Sequence, residues 1–124
     1  MIRLFVALEL PADLRRRMGQ ISTGVRDARW VDEENLHLTL RFIGEVEDCW
    51  VEELVSALEV VESPAFPLTL SGAGHFESRK RVRVLWIGTE KSDELVALVA
   101  RIEHALVRAG LPLEGRKFSP HITI

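Results

Sequence analysis

Two short stretches hold the residue types needed for acid–base chemistry. "NLHLTLRFIG" begins at Asn35 and "SPHITI" ends at Ile124, and each contains histidine, an apolar residue, threonine and another apolar residue. Alternate side chains of a strand share a face. His37, Thr39 and Arg41 are therefore expected on one side of their strand, with Leu38, Leu40 and Phe42 on the other. His121 and Thr123 oppose Ile122 and Ile124 in the same way. Each stretch presents an imidazole and a hydroxyl over an apolar layer. A single histidine on a strand is ordinarily structural or solvated, but two copies of one pattern argue for a shared task. An unperturbed imidazole titrates near pH 6.5, so a pair can divide base and acid work at neutral pH.

Such a pair suits in-line displacement at phosphorus. A base at one apex takes the proton of the incoming hydroxyl or water, and an acid at the other protonates the departing oxygen. Positioning and charge stabilisation do most of the remaining work. Hydroxyls at Thr39 and Thr123 can donate to the non-bridging oxygens. Gripping both apical oxygens requires reactive ring nitrogens about 5–9 Å apart. A zinc site fits less well, because neither stretch offers a carboxylate or cysteine as third ligand on the histidine face. Asp32, Glu33 and Glu34 are expected to stay solvated in the preceding turn. The chain has no nucleophile elbow, P-loop or dinucleotide-binding glycine fingerprint. No metal or cofactor is therefore expected.

Other chemistry-bearing residues rank below these. Arg41, on the histidine face, is the best single basic candidate for contacting an anion. "SRKRVR" places four basic residues between Arg79 and Arg83. It reads as a solvated hairpin, although Arg81 and Arg83 share a face and would attract a phosphate backbone if that strand lined the site. Trp30 and Trp86 are core anchors that could also stack on a base. His104 falls on the polar side of a helix, and His75 near a strand end suits a loop.

The elements that must position the two histidines can be read from periodicity. The 124 residues, 47% apolar and 28% charged, suit one compact domain, residues 1–124, with a real core. "RLFVALEL" reads as a buried strand. Pro11 suits the first turn of a helix whose stripe is Leu14, Met18, Ile21 and Val25. "ARWV" reads as a short strand, "DEEN" as a turn, and "LHLTLRFIG" as a strand ended by Gly44. A helix spans Asp48 to Glu62, with Val51, Leu54, Val55, Leu58 and Val61 inward and Ser63-Pro64 as its stop. "FPLTLSGAGHF" and "VRVLWIG" form two strands. A helix capped by Ser92 follows, with Leu95, Leu98, Ile102 and Leu106 inward and Gly110 and Pro112 at its end. "FSPHITI" is the last strand.

Strand, helix, then histidine strand describes residues 3–43 and again residues 82–124. These two pseudo-repeats predict a pseudo-twofold α+β domain whose equivalent strands face each other and bring both histidines to one cleft. A formal charge of −3 gives no bulk attraction to polyanions. No run of residues is long and apolar enough to span a bilayer. The single cysteine, Cys49, fits a reducing cytoplasm. No oversized apolar stripe asks for a partner, so a monomer is expected.

"RLFVALELP", "WVDEENLHLTLRFIGEV", "FPLTLSGAGHF", "RVRVLWIG" and "FSPHITI" together resemble the two-histidine phosphoesterases. More narrowly they resemble the LigT-like RNA 2′,3′-cyclic phosphodiesterases of bacteria and archaea, also called 2′-5′ RNA ligases. The likeness covers nearly the whole chain. It implies a bilobal fold of antiparallel sheets with helices outside and a central cleft. It further implies metal-independent hydrolysis of an RNA terminal 2′,3′-cyclic phosphate to a 2′-phosphomonoester, with 2′-5′ ligation as the reverse reaction. By the same resemblance His37 is the proton donor, His121 the proton acceptor, and Thr39 and Thr123 hold the phosphate. Related activities on 2′-5′-linked oligonucleotides or cyclic nucleotide-sugar phosphates, or simple binding of RNA ends, are the alternatives. The family pattern continues past the second motif, so a C-terminal truncation is expected.

Overall fold

A computed structural model describes residues 1–21, 30–78, 81–115 and 117–124, without the side chains of 21, 75–78 and 81–84. The order is β1 (Ile2–Glu9), α1 (Ala12–Ile21), a 3-10 turn (Glu33–Asn35) and β2 (His37–Val46). A second 3-10 turn (Asp48–Trp50), α2 (Val51–Glu59), β3 (Leu70–Ser78), β4 (Arg81–Thr89), α3 (Asp93–Arg108) and β5 (His121–Thr123) follow. The class is α+β. β1 and β2 form a two-stranded sheet, and β3, β4 and β5 an antiparallel three-stranded sheet in that order. The element orders β1-α1-β2 and β4-α3-β5 are each strand–helix–strand.

The chain divides into two compact units. One comprises Met1–Val6, Leu40–Thr69 and Lys91–Ser119; the other comprises Ala7–Thr39, Leu70–Glu90 and Pro120–Ile124. In the first, α2 packs on α3 around the buried side chains Leu54, Leu95, Ile102 and Leu106. Ser92 accepts a hydrogen bond from the Leu95 amide at 3.1 Å, capping α3 as its position before Asp93 predicts. At the other end Gly110 takes φ +112°, its N–H donates to the Val107 carbonyl, and the Leu111 N–H donates to the Leu106 carbonyl. This 6→1 and 5→2 pair is a Schellman ending, which a residue without Cβ accommodates freely. In the second unit Met18, Leu36, Leu38, Ile122 and Ile124 are buried. Each fully buried aliphatic side chain contributes about 1.5–3 kcal/mol.

Several boundaries differ from expectation. β1 is not a buried strand: Ile2 and Phe5 are 42% and 49% exposed, and among the described residues its sheet has two strands, β1 and β2. β2 continues through Gly44, which at φ +91° bends the strand rather than ending it. Past Leu40 its alternation breaks, with Arg41 buried and Phe42 exposed. The helix expected from Asp48 starts as a 3-10 turn and ends at Glu59, and Val55 stands exposed. β3 and β5 are shorter than their apolar runs. Trp30 and Val31 lie in irregular chain, not a strand; Ala28, Arg29, Val25 and the hairpin residues Arg79 and Lys80 fall outside the described residues.

Candidate active site

The approach to His37 is set by the turn before it. The Asn35 N–H donates to the Asp32 carbonyl at 2.8 Å and the Leu36 N–H to the Glu33 carbonyl at 3.2 Å. Leu36, 3% exposed, pins the end of this turn in the core. His37 then opens β2, half-buried, with Nδ1 2.6 Å from the Asn35 carbonyl oxygen. A carbonyl can only accept, so Nδ1 carries the proton of this bond. Thr39, also half-buried, lies two residues on, between the buried Leu38 and Leu40. The expected alternation holds over this segment.

His121 opens β5, and its frame is the three-stranded sheet. Gly88 stands opposite His121, Ile87 opposite Ile122, and Trp86 opposite Thr123. Residues directly opposite share a face. Gly74 of β3 is in turn opposite Trp86. Gly74, Trp86, Gly88, His121 and Thr123 therefore share one face. Ile122, fully buried, and Ile124, 9% exposed, take the other and anchor the strand. The Ile124 N–H donates to the Leu85 carbonyl at 3.1 Å, extending this pairing. The His121 ring meets the Trp86 indole edge-on, with centroids 6.1 Å apart and planes at 61°. Both histidines and both threonines belong to the same compact unit.

Arg41 departs from its expected place facing an anion. It belongs to the other unit and is 8% exposed. Its Nε donates to Glu103 Oε2 at 2.9 Å, Nη1 to the Phe42 carbonyl at 2.7 Å, and Nη2 to the Pro112 carbonyl at 2.8 Å. Glu114 Oε2 lies 3.5 Å from Nη1. Sequence parity could not reveal this, because the two carboxylates come from α3 and the loop after it. His104 is exposed on α3, as its helical position implies. The side chains of His75, Arg81 and Arg83 are outside the described set. Among the described residues no three His, Cys, Asp or Glu side chains converge as a metal cluster would require. A groove of about 610 Å³ between α2 and α3 is lined by Glu52, Ser56, Ala57, Val60, Ala105 and Arg108, and it includes neither motif.

The glycines at 74 and 88 were the missed part of this site. Glycine inside a strand marks a close approach, and "GAG" and "WIG" carried that signal.

This geometry has relatives. Residues 8–86 match the family model described as LigT like Phosphoesterase. The RNA 2′,3′-cyclic phosphodiesterase of Thermotoga maritima is 35% identical over 129 residues, covering 99% of this chain and 68% of that protein. That of Escherichia coli K12 is 34% identical over 126 residues, covering 98% and 70%. The crystal structure of E. coli LigT complexed with 3′-AMP superposes with a TM-score of 0.80 at 34% identity, over 98% of this chain and 71% of that one. With this likeness across almost every residue, the chain belongs to the LigT-like phosphoesterase family.

Proposed function

We propose that this protein hydrolyses the terminal 2′,3′-cyclic phosphate of RNA to a 2′-phosphomonoester, with His37 as general acid and His121 as general base. One observation carries the reading. The H-x-T-x pattern opens the last strand of both strand–helix–strand repeats, and both copies fall in one compact unit of a LigT-like chain. The relatives named RNA 2′,3′-cyclic phosphodiesterase supply the substrate class.

In this mechanism His121 takes a proton from water as the water oxygen bonds to phosphorus. The bond from phosphorus to the 3′ oxygen breaks, and that oxygen receives the proton from His37 Nε2. Thr39 and Thr123 donate to the non-bridging oxygens. The Asn35 carbonyl accepts from Nδ1–H in both charge states of the His37 ring, so the ring needs no tautomer change during the cycle. With a 5′-hydroxyl in place of water the same step makes a 2′-5′ bond: His121 takes the hydroxyl proton and His37 protonates the departing 3′ oxygen. Arg41, committed to Glu103, Glu114 and two carbonyls, is left out of the phosphate contacts. The described residues include no helix long and apolar enough to cross a membrane, and Cys49 is free and exposed. The free cysteine fits an enzyme working in a reducing cytoplasm.

The test is turnover of a short RNA bearing a 2′,3′-cyclic phosphate, with EDTA present throughout. His37→Ala and His121→Ala should each lower the rate by on the order of 10²–10⁴ while RNA binding persists. Equal turnover by wild type and both variants would overturn the reading, and loss of wild-type turnover on chelation would replace it with metal catalysis.

A further inference from the structure

We infer that Trp86 is a positioning residue for His121, held in its place by the absence of side chains at Gly74 and Gly88. This rests on His121 being the base proposed above, and it adds what keeps that base aimed.

The argument starts from the space around the indole. A Cβ at Gly74 would stand 2.6 Å from Cε2 and Cη2 of Trp86, and nearer still to Cζ2. Real Cβ atoms do not come that close, so the indole occupies the space over the backbone of β3. A Cβ at Gly88 would lie 3.4 Å from Trp86 Cζ3 and 3.0 Å from the Ser71 carbonyl oxygen. The ring thus lies along the sheet, covering glycines on its own strand and on the neighbouring one. Neither φ is left-handed, so both glycines answer to space and not to backbone conformation.

The other neighbour on this face is His121. It stands opposite Gly88, a buried residue with no side chain for an imidazole to rest against. Histidine's outer torsion is broad and roughly two-fold, so a strand position alone does not aim its nitrogens. The Trp86 ring, reaching over Gly88 from two residues away, fills this place and meets the imidazole at 61°. An aromatic edge contact of this kind restricts the ring without charging or hydrogen-bonding it. Thr123, opposite Trp86, shares the face and leads away along the same strand. Wedging the indole between glycines makes the aim of His121 depend on residues remote from the motif in sequence.

The experiment compares Trp86→Ala, Trp86→Phe and Gly74→Ala with wild type and with His121→Ala. Steady-state turnover of the cyclic-phosphate RNA is measured alongside the NMR shifts of the His121 ring protons and a thermal melt. A misplaced reacting group costs up to about 10²-fold. Trp86→Ala should accordingly lower kcat by about 10- to 100-fold with KM within about twofold, the pattern of an interaction lost in the transition state. Trp86→Phe should restore most of this. Gly74→Ala should reproduce the loss by displacing an unaltered indole, and both it and Trp86→Ala should shift the His121 ring protons. If Trp86→Ala does not fold, Gly74→Ala and Trp86→Phe carry the comparison. Unchanged kcat in Trp86→Ala and Gly74→Ala while His121→Ala is inactive would overturn the inference. A rise confined to KM would overturn it too, making Trp86 a surface for the base. An inactive wild type would instead remove the function proposed above, and the ring-proton shifts would then decide the Trp86 contact by themselves.

Discussion

Arg41→Ala separates two roles for a residue that sits on the same strand as His37. Its guanidinium is 8% exposed and Glu103 beside it 18%, whereas Glu114 is 34% exposed. Removing one partner of a buried ion pair costs about 3–5 kcal/mol, since the other charge is stranded. Here Glu103 keeps the Glu114 N–H, 2.7 Å from Oε1, and some access to water, which lowers the penalty. The Phe42 and Pro112 carbonyls lose their donor, at about 1 kcal/mol or more each where water cannot replace it. The net expectation is about 2–4 kcal/mol, or about 8–15 °C in Tm for a chain of this size. Arg41→Lys should recover only part, because one ammonium cannot span acceptors that a planar fork reaches together. Arg41→Met with Glu103→Met should be milder than Arg41→Ala, since the stranded carboxylate is gone. Urea and thermal melts read the stability, and steady-state assays at two salt concentrations read the substrate. KM should hold at temperatures where the variant is folded. An unchanged Tm with a raised KM and a flattened salt dependence would refute this reasoning and return Arg41 to the phosphate.

Activity against pH should be bell-shaped, with two apparent midpoints belonging to the histidine pair, and His37→Ala should remove one limb. Asn35→Ala should leave turnover near wild type, because the bond to His37 uses the main-chain carbonyl. Asn35→Pro should impair it, since the N–H that donates to Asp32 and shapes the turn is lost. Ser92→Ala should cost about 1 kcal/mol in urea melts through loss of the α3 cap. Gly110→Ala should cost more than about 1 kcal/mol, because its φ is left-handed and an added Cβ meets Trp50 at 3.0 Å.

What the sequence made legible were features decided by local physics. Period-two alternation placed Leu38 inside and His37 and Thr39 opposite, and it did the same for Ile122 against His121 and Thr123. The serine before an acidic first turn and the glycine after a basic last one marked both ends of α3. Where a second element intervenes, local pattern fails. Arg41 breaks the alternation of its strand because the carboxylates that claim it arrive from Glu103 and Glu114, more than sixty residues later. Val55 has a helical partner spacing, yet Leu54 is the buried residue of α2 and Val55 is 49% exposed. Gly74 announced a close approach without saying to what; only the register between β3 and β4 identifies Trp86 as the visitor.

The two imidazoles occupy equivalent positions but are restrained by unlike means, and the difference follows from what precedes each strand. β2 is entered from a tight turn whose last carbonyl points back at the first residue of the strand, so His37 is held by its own neighbourhood in sequence. β5 is entered from residues 117–120, which form neither helix nor strand and put Pro120 directly before His121. Across the sheet the register places Trp86 and Gly88 beside His121. The hydrogen bond at His37 assigns a proton to Nδ1, whereas the aromatic edge at His121 sets where that ring lies. Substitutions in the turn before His37 should therefore act through the Nδ1 bond, and those at Gly74, Trp86 or Gly88 through the placement of the His121 ring.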